Sequence, residues 1–191
     1  MTEQIPRTAL TEDLEKPDEA GLVGAAKKDP REFGKIYQLY IQPIFRYLYS
    51  WMGSLPEAED ATAQTFLAAL ESLDRYQHRG HLAAWLFSIA RRKAMDHFRT
   101  QRHQVALENA EQVPLETDLL REVIQTEQIA ALAKLINALP EEEHELIRLR
   151  YIAELSFSEI GRLLNRNEAA VKKSLYRLLA RLQSQLEVTH E

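Results

Sequence analysis

A chain of 191 residues suits one large domain or two small ones. Hydrophobic residues make up 45% of it, enough for a core. A charged fraction of 28% and the lack of any apolar run near roughly 20 residues exclude a membrane-spanning protein. Cysteine is absent, which excludes disulfides, thiolate catalysis and cysteine-based zinc sites.

The opening MTEQIPRTALTEDLEKPDEAG is acidic and lacks the basic start and apolar stretch of a signal peptide, so a cytoplasmic protein without membrane insertion is expected. Residues 1–28 read as a mobile tail with a short helix near Ala20–Lys28. Asp29-Pro30 is a good helix start, because Asp can cap and proline fills a position that needs no donor. Phe33, Ile36, Tyr37, Tyr40, Ile41, Ile44, Phe45 and Leu48 then recur at helical spacing, with Pro43 expected to kink or split the helix. Ser54-Leu55-Pro56-Glu57 opens a second helix running to about Leu73. A polar loop, Asp74 to Gly80, follows, and Leu82, Trp85, Leu86, Ile89 and Ala90 begin a third helix that ends near Arg102.

Residues 103–118 (HQVALENAEQVPLETD) lose periodicity, turn acidic and read as a flexible linker between two modules. Leu119 to Leu139 is helical in pattern. Glu141 to Tyr151 follows Pro140, with Glu141, Glu142 and Glu143 in the first turn, where the helix dipole favours them. Ser156 and Glu159 have capping-box spacing and open a short helix to about Leu164. Asn165-Arg166-Asn167 is a turn, and Asn167 can cap the last helix, Glu168 to about Leu186. No alternating strand pattern appears, so the expected fold is all-α: two small helical modules joined by an acidic linker.

The net charge of −5 is an average that hides two basic patches. One holds Arg91, Arg92, Lys93, Arg99 and Arg102; the other holds Arg162, Arg166, Lys172, Lys173, Arg177 and Arg181. Residues 156–181 form a capped helix, a polar turn and a longer helix, with Ile160, Leu163, Leu164, Val171, Leu175 and Leu178 available to pack the two together. Lys172, Lys173, Tyr176 and Arg177 are left on the outward side, the layout of a helix that enters the DNA major groove. Arg166 is placed for a phosphate. The bland alternative is a helical hairpin with a solvated charged face. In the first module Tyr76, His78, Arg79, His81 and Trp85 precede Arg91-Arg92-Lys93, a mix of rings and cations that suits unpaired strands. Trp85 equally fits a core position.

Two stretches carry a family resemblance. FGKIYQLY, EAEDATAQTFLAAL and HLAAWLFSIARRKAMDHFR, within 33–102, resemble region 2 of extracytoplasmic-function (ECF) sigma factors, the promoter-recognition subunits of bacterial RNA polymerase. LPEEEHELIRLRYIAELSFSEIGRLLNRNEAAVKKSLYRLLARLQSQL, residues 139–186, resembles their region 4. The order matches the family's, and nothing between resembles region 3.

The resemblance implies domains at 29–102 (region 2) and 119–188 (region 4), and partners in core RNA polymerase, promoter DNA and an anti-sigma factor. Docking on polymerase would use Asp60, Gln64 and Phe66 of the helix Glu57–Leu70. Ala63 stands where the family has glutamine, and Gln64 where it has an acid. The loop Asp74–His81, with His78 and Arg79, would capture a flipped −10 base. Arg91, Lys93 and Arg99 would hold phosphates beside it, with Arg92 replacing the asparagine of the family's IARN motif. Arg166, Asn167, Lys172, Lys173, Ser174 and Arg177 would read the −35 element. Gly161 replaces an alanine. Glu108, Glu111, Glu116 and Asp118 would thread the RNA exit path as a backbone mimic; a merely solvated linker is the alternative.

An enzyme would have to draw on His78, His81, Asp96, His97 and His103. No HExxH, glycine-rich phosphate loop or nucleophile elbow accompanies them, so neither catalysis, metal nor cofactor is expected. A closer rival is a sigma mimic that sequesters an anti-sigma factor. Such proteins usually carry a receiver domain and tend to lose the DNA-facing cations, whereas Lys172, Lys173 and Arg177 remain. A simple repressor leaves the first module unexplained.

Overall fold

The computed structural model describes residues 18–78, 80–107 and 127–189. Among them every regular element is helical. In chain order these are α1 (Glu19–Lys28), α2 (Phe33–Met52), α3 (Leu55–Ser72), α4 (Leu82–Leu107), α5 (Glu127–Asn137), α6 (Glu141–Ile147), α7 (Phe157–Leu163) and α8 (Glu168–Thr189).

The segment read as a tail contributes α1, which Asp18 caps by accepting from the Gly21 N–H. It is docked, because Val23 and Ala26 are buried. Asp29 accepts from the Arg31 N–H, and Pro30–Glu32 form a 3₁₀ turn leading into α2. That helix runs through Pro43 without a break. It ends at Gly53, whose positive φ of 66° lets its N–H close on the Tyr49 carbonyl at 2.8 Å.

Small residues explain how α3 fits against its neighbours. Ala58, Ala61, Thr62, Thr65 and Ala69 form its buried face, letting the backbones approach closely. The Thr62 and Thr65 hydroxyls donate to the Ala58 and Ala61 carbonyls one turn back, so neither is buried unsatisfied. Ile36, Ile44, Tyr47 and Leu48 of α2 pack with Leu82, Leu86, Phe87 and Ala90 of α4 to complete this core. α4 extends past the expected end at Arg102 to Leu107, so the segment assigned to the linker starts helical. Residues 108–118 of that linker lie outside the described residues, as does 119–126 of the next expected helix.

In the second half the helix expected over Glu141–Tyr151 changes pitch. α6 stops at Ile147, and Arg148–Ile152 form a π-helical turn closed by the Ala153 N–H on the Arg148 carbonyl. The capping box is present: the Ser156 N–H donates to Glu159 at 2.7 Å, and the Glu159 N–H donates to Ser156. Asn165 takes φ 52°, a left-handed conformation that asparagine tolerates. Asn167 caps α8 by accepting from the Ala169 N–H. The turn sits tight on α7, and a Cβ at Gly161 would lie 2.7 Å from the Arg166 carbonyl oxygen. Alanine, the family's usual residue, would therefore push the turn outward.

The halves share one contiguous core. At their junction Glu145 of α6 is only 3% exposed, and one of its oxygens accepts from both the Tyr47 hydroxyl (2.8 Å) and Arg91 Nε (3.1 Å). Arg148, equally buried, lies 4.3 Å over the Trp51 ring and pairs with Glu141 at 2.6 Å. Arg46 and Glu154 make an exposed pair at the rim. Burial pushes the Glu145 carboxyl up, while the Tyr47 hydrogen bond and the Arg91 and Arg148 charges pull it back.

Candidate nucleic-acid interface

α8 presents Lys172, Lys173 and Arg177 to solvent from its first half, while Val171, Leu175 and Leu178 are buried beneath. The i, i+3/i+4 spacing of the apolar set produces this division. Arg166 reaches from the turn to the Ser174 hydroxyl at 2.7 Å, so those two expected contacts hold one another. Asn167 is occupied as a cap. Beside them lies a cluster that the reading of the sequence did not assemble. Phe157 and Tyr176 sit 6.1 Å apart, Lys172 Nζ is 5.9 Å from each ring, and Arg150 lies 4.9 Å over Phe157. Both rings are within cation–π reach of the Lys172 ammonium, and the residue stays exposed.

A second surface surrounds the loop before α4. Trp85 is half-buried and stacks on Tyr76 with centroids 4.2 Å apart and planes 21° apart. The His78 ring meets Tyr76 edge-on, its Nδ1 3.4 Å from the Tyr76 hydroxyl. Burial, and secondly the Glu19 charge, push that hydroxyl up to about 12. A recess of about 260 Å³ opens here, lined by Tyr76, Gln77, His81, Trp85 and Ser88, with Arg162 and Leu163 of α7 forming its far wall. Arg79 lies outside the described residues. Arg92 is exposed, and Arg99 pairs with Asp96 at 3.2 Å.

The third surface is the groove between α3 and α4. Gln64 donates to Asp60 at 2.7 Å and accepts from Lys93 at 3.3 Å, and His97 lies 3.4 Å from Glu57. Phe66 is buried, edge-on to Phe33 and to Tyr37, whose centroid is 4.7 Å away. Tyr37 of α2 and Leu67 and Leu70 of α3 are all exposed; Leu67, at 57%, falls off the helix's buried face. Their excess over what one face can bury was the available signal.

Residues 36–104 match the family described as Sigma-70 region 2, and residues 129–182 match Sigma-70, region 4. ShbA, an ECF RNA polymerase sigma factor of Streptomyces griseus, is 30% identical over 161 residues, covering 78% of this chain and 84% of that protein. The chain belongs to the ECF RNA polymerase sigma factor family. BldN, an ECF sigma factor of Streptomyces coelicolor, is 32% identical over 154 residues; the match spans 78% of this chain and 58% of BldN. In fold the sigma factor is similar to CnrH, solved in complex with the cytosolic domain of CnrY. That likeness has a TM-score of 0.63 at 22% identity and covers 87% of this chain and 96% of the other.

Within this sigma factor the basic stretch of α4 is divided three ways. Arg91 turns into the junction on Glu145, Lys93 joins Asp60 and Gln64 in the α3–α4 groove, and Arg92 faces solvent. No helix of the described residues is long and apolar enough to cross a membrane.

Proposed function

We propose that this sigma factor binds core RNA polymerase and directs promoter-specific initiation, acting in the cytoplasm and without catalysis of its own. Region 2, over 29–102, would engage polymerase and the −10 element; region 4, over 119–188, would read the −35 element. The observation that carries this is the pairing, in one chain, of a region 2 match with a region 4 match whose recognition helix exposes Lys172, Lys173 and Arg177.

The geometry refines the roles. Lys172, Lys173 and Arg177 face the major groove and its phosphates, with Arg166 and Ser174 as a linked pair at the edge and Asn167 fixing the helix start. The Tyr76–Trp85 stack gives a flipped base a flat platform, with His78 beside it and Arg92 and Arg99 available to the strand. Asp60, Gln64 and Lys93 offer polar contacts to polymerase, and Phe66 packs edge-on against the exposed Tyr37. Arg91 reaches a phosphate only on leaving Glu145. RpoE of Bartonella quintana, a sigma factor of similar fold, was solved in complex with the anti-sigma factor NepR, which supports an anti-sigma partner for this chain as well.

The test is in vitro transcription with core polymerase and a library of genomic promoter fragments. Discrete start sites that require the added protein are expected. A protein that binds an anti-sigma factor but neither binds core nor directs start sites would be a sigma mimic, and the proposal would fail.

A further inference from the structure

The loop 76–81 would be expected to wander, since it is polar and joins two helices. Both its ends are tied to α1. Lys27 Nζ donates to the Asp74 carbonyl at 3.0 Å and to the Tyr76 carbonyl at 2.7 Å. These carbonyls lie where α3 and its following 3₁₀ turn, Leu73–Arg75, run out, and a cation suits such a helix end. At the loop's other end Glu19 accepts from the Leu82 N–H at 3.0 Å. That amide is the first of α4 and has no partner inside its own helix. The second Glu19 oxygen accepts from the Tyr40 hydroxyl, which fixes the carboxylate in place.

Glu19 and Lys27 stand eight residues apart, roughly 12 Å along a helix, so α1 reaches both ends of the loop as one rigid rod. Its own position is set by the Asp18 cap and by burial of Val23 and Ala26. The sign of charge at each end is the one the helix termini favour.

We propose that α1 is a brace for promoter reading, with Lys27 and Glu19 as positioning residues that fix Tyr76 and Leu82, on either side of the base-receiving platform. A loop fixed at both ends loses less freedom when a base enters the Tyr76–Trp85 platform, so right and wrong bases are told apart more sharply. Neither residue touches DNA. The inference rests on the reading of region 2 as the −10 reader.

The experiment uses full-length protein carrying Lys27→Met or Lys27→Arg, assembled with core polymerase. Run-off transcription compares a promoter recovered from the genomic library with the same promoter bearing single-base −10 substitutions. Amide hydrogen exchange across 76–82 is measured in the free chain alongside. Lys27→Met, which loses two exposed hydrogen bonds, is expected to lower the ratio between parent and substituted promoters about three- to tenfold. It should also speed exchange in the loop and leave core affinity unchanged. Lys27→Arg, which can still donate to both carbonyls, should restore the ratio. A uniform loss on every promoter, or unchanged loop exchange, overturns the proposal. If wild-type holoenzyme yields no start sites, the sigma reading itself has failed. The exchange measurement then still decides whether Lys27 holds the loop.

Discussion

The cations of the junction and those of the recognition helix carry the same charge, yet they do opposite work. Arg148 is 3% exposed, spread over Trp51 and paired with Glu141, and Arg91 is turned onto a buried carboxylate. Lys172, Lys173 and Arg177 are exposed, and of the three Lys172 meets the Phe157 and Tyr176 rings. A run of basic residues therefore does not define a DNA surface; the neighbours of each guanidinium or ammonium do. Cations of the first kind hold the protein together, and their loss is felt in stability. Those of the second kind are felt in binding.

The largest effect expected from breaking this contrast is on Arg148→Ala. Removing it leaves Glu145 with less compensation and strips the Trp51 face, so unfolding in urea should show a loss of about 3–5 kcal/mol. A loss under about 1 kcal/mol would mean that the junction contributes little. Gly161→Ala comes next, because the new methyl would meet the Arg166 carbonyl at 2.7 Å. A cost of about 1–3 kcal/mol is expected in thermal unfolding, together with weaker binding to a −35 duplex; a wild-type melting curve would contradict the close approach. The double variant Lys172→Ala, Arg177→Ala should melt like wild type. Its promoter affinity should fall roughly tenfold, and the slope of log K against log salt should shrink by about 2. Unchanged affinity would remove α8 from the DNA interface.

The smallest effect sharpens the contrast through pH. Burial, and then the Arg148 charge, lower His144 from 6.5 to about 4. The unfolded chain thus binds a proton that the folded chain refuses. Stability from this source is complete above pH 6.5 and is lost as pH falls toward 4. Glu145 works the other way, since protonation relieves its burial. Urea midpoints at pH 7 and pH 5 should therefore converge in His144→Gln relative to wild type. Equal losses in both proteins would assign the acid sensitivity elsewhere.

Much of the fold was legible because it depends on local spacing. The apolar periods of α2 and α8, the Ser156–Glu159 capping box and the Asn167 cap all involve residues within a few positions of one another, and each is present. Other features depended on partners far away in sequence. EEEHELIRLR reads as part of a helix with acids in its first turn, and nothing local announces that Glu145 and Arg148 are buried against α2 and α4. The same holds for Lys27, whose partners lie 47 and 49 residues on. Pro43 misled in the other direction: its missing donor suggested a break, but packing of Ile36, Ile44, Tyr47 and Leu48 on both sides keeps the helix whole. Within the candidate site the outward cations of α8 followed from periodicity. The Phe157–Tyr176–Lys172 cluster did not, because it joins two helices through their tertiary angle.

The hydrogen bond between Tyr47 and Glu145 closes a stretch of 98 residues. Joining the ends of a flexible chain that long costs about 4 kcal/mol in entropy, and the Tyr47 and Arg91 contacts cannot form until Glu145 has been made. The α2–α4 core, whose members are all made earlier, can be complete by then. Synthesis therefore delivers the members of the first core before the far side of the seam has been made.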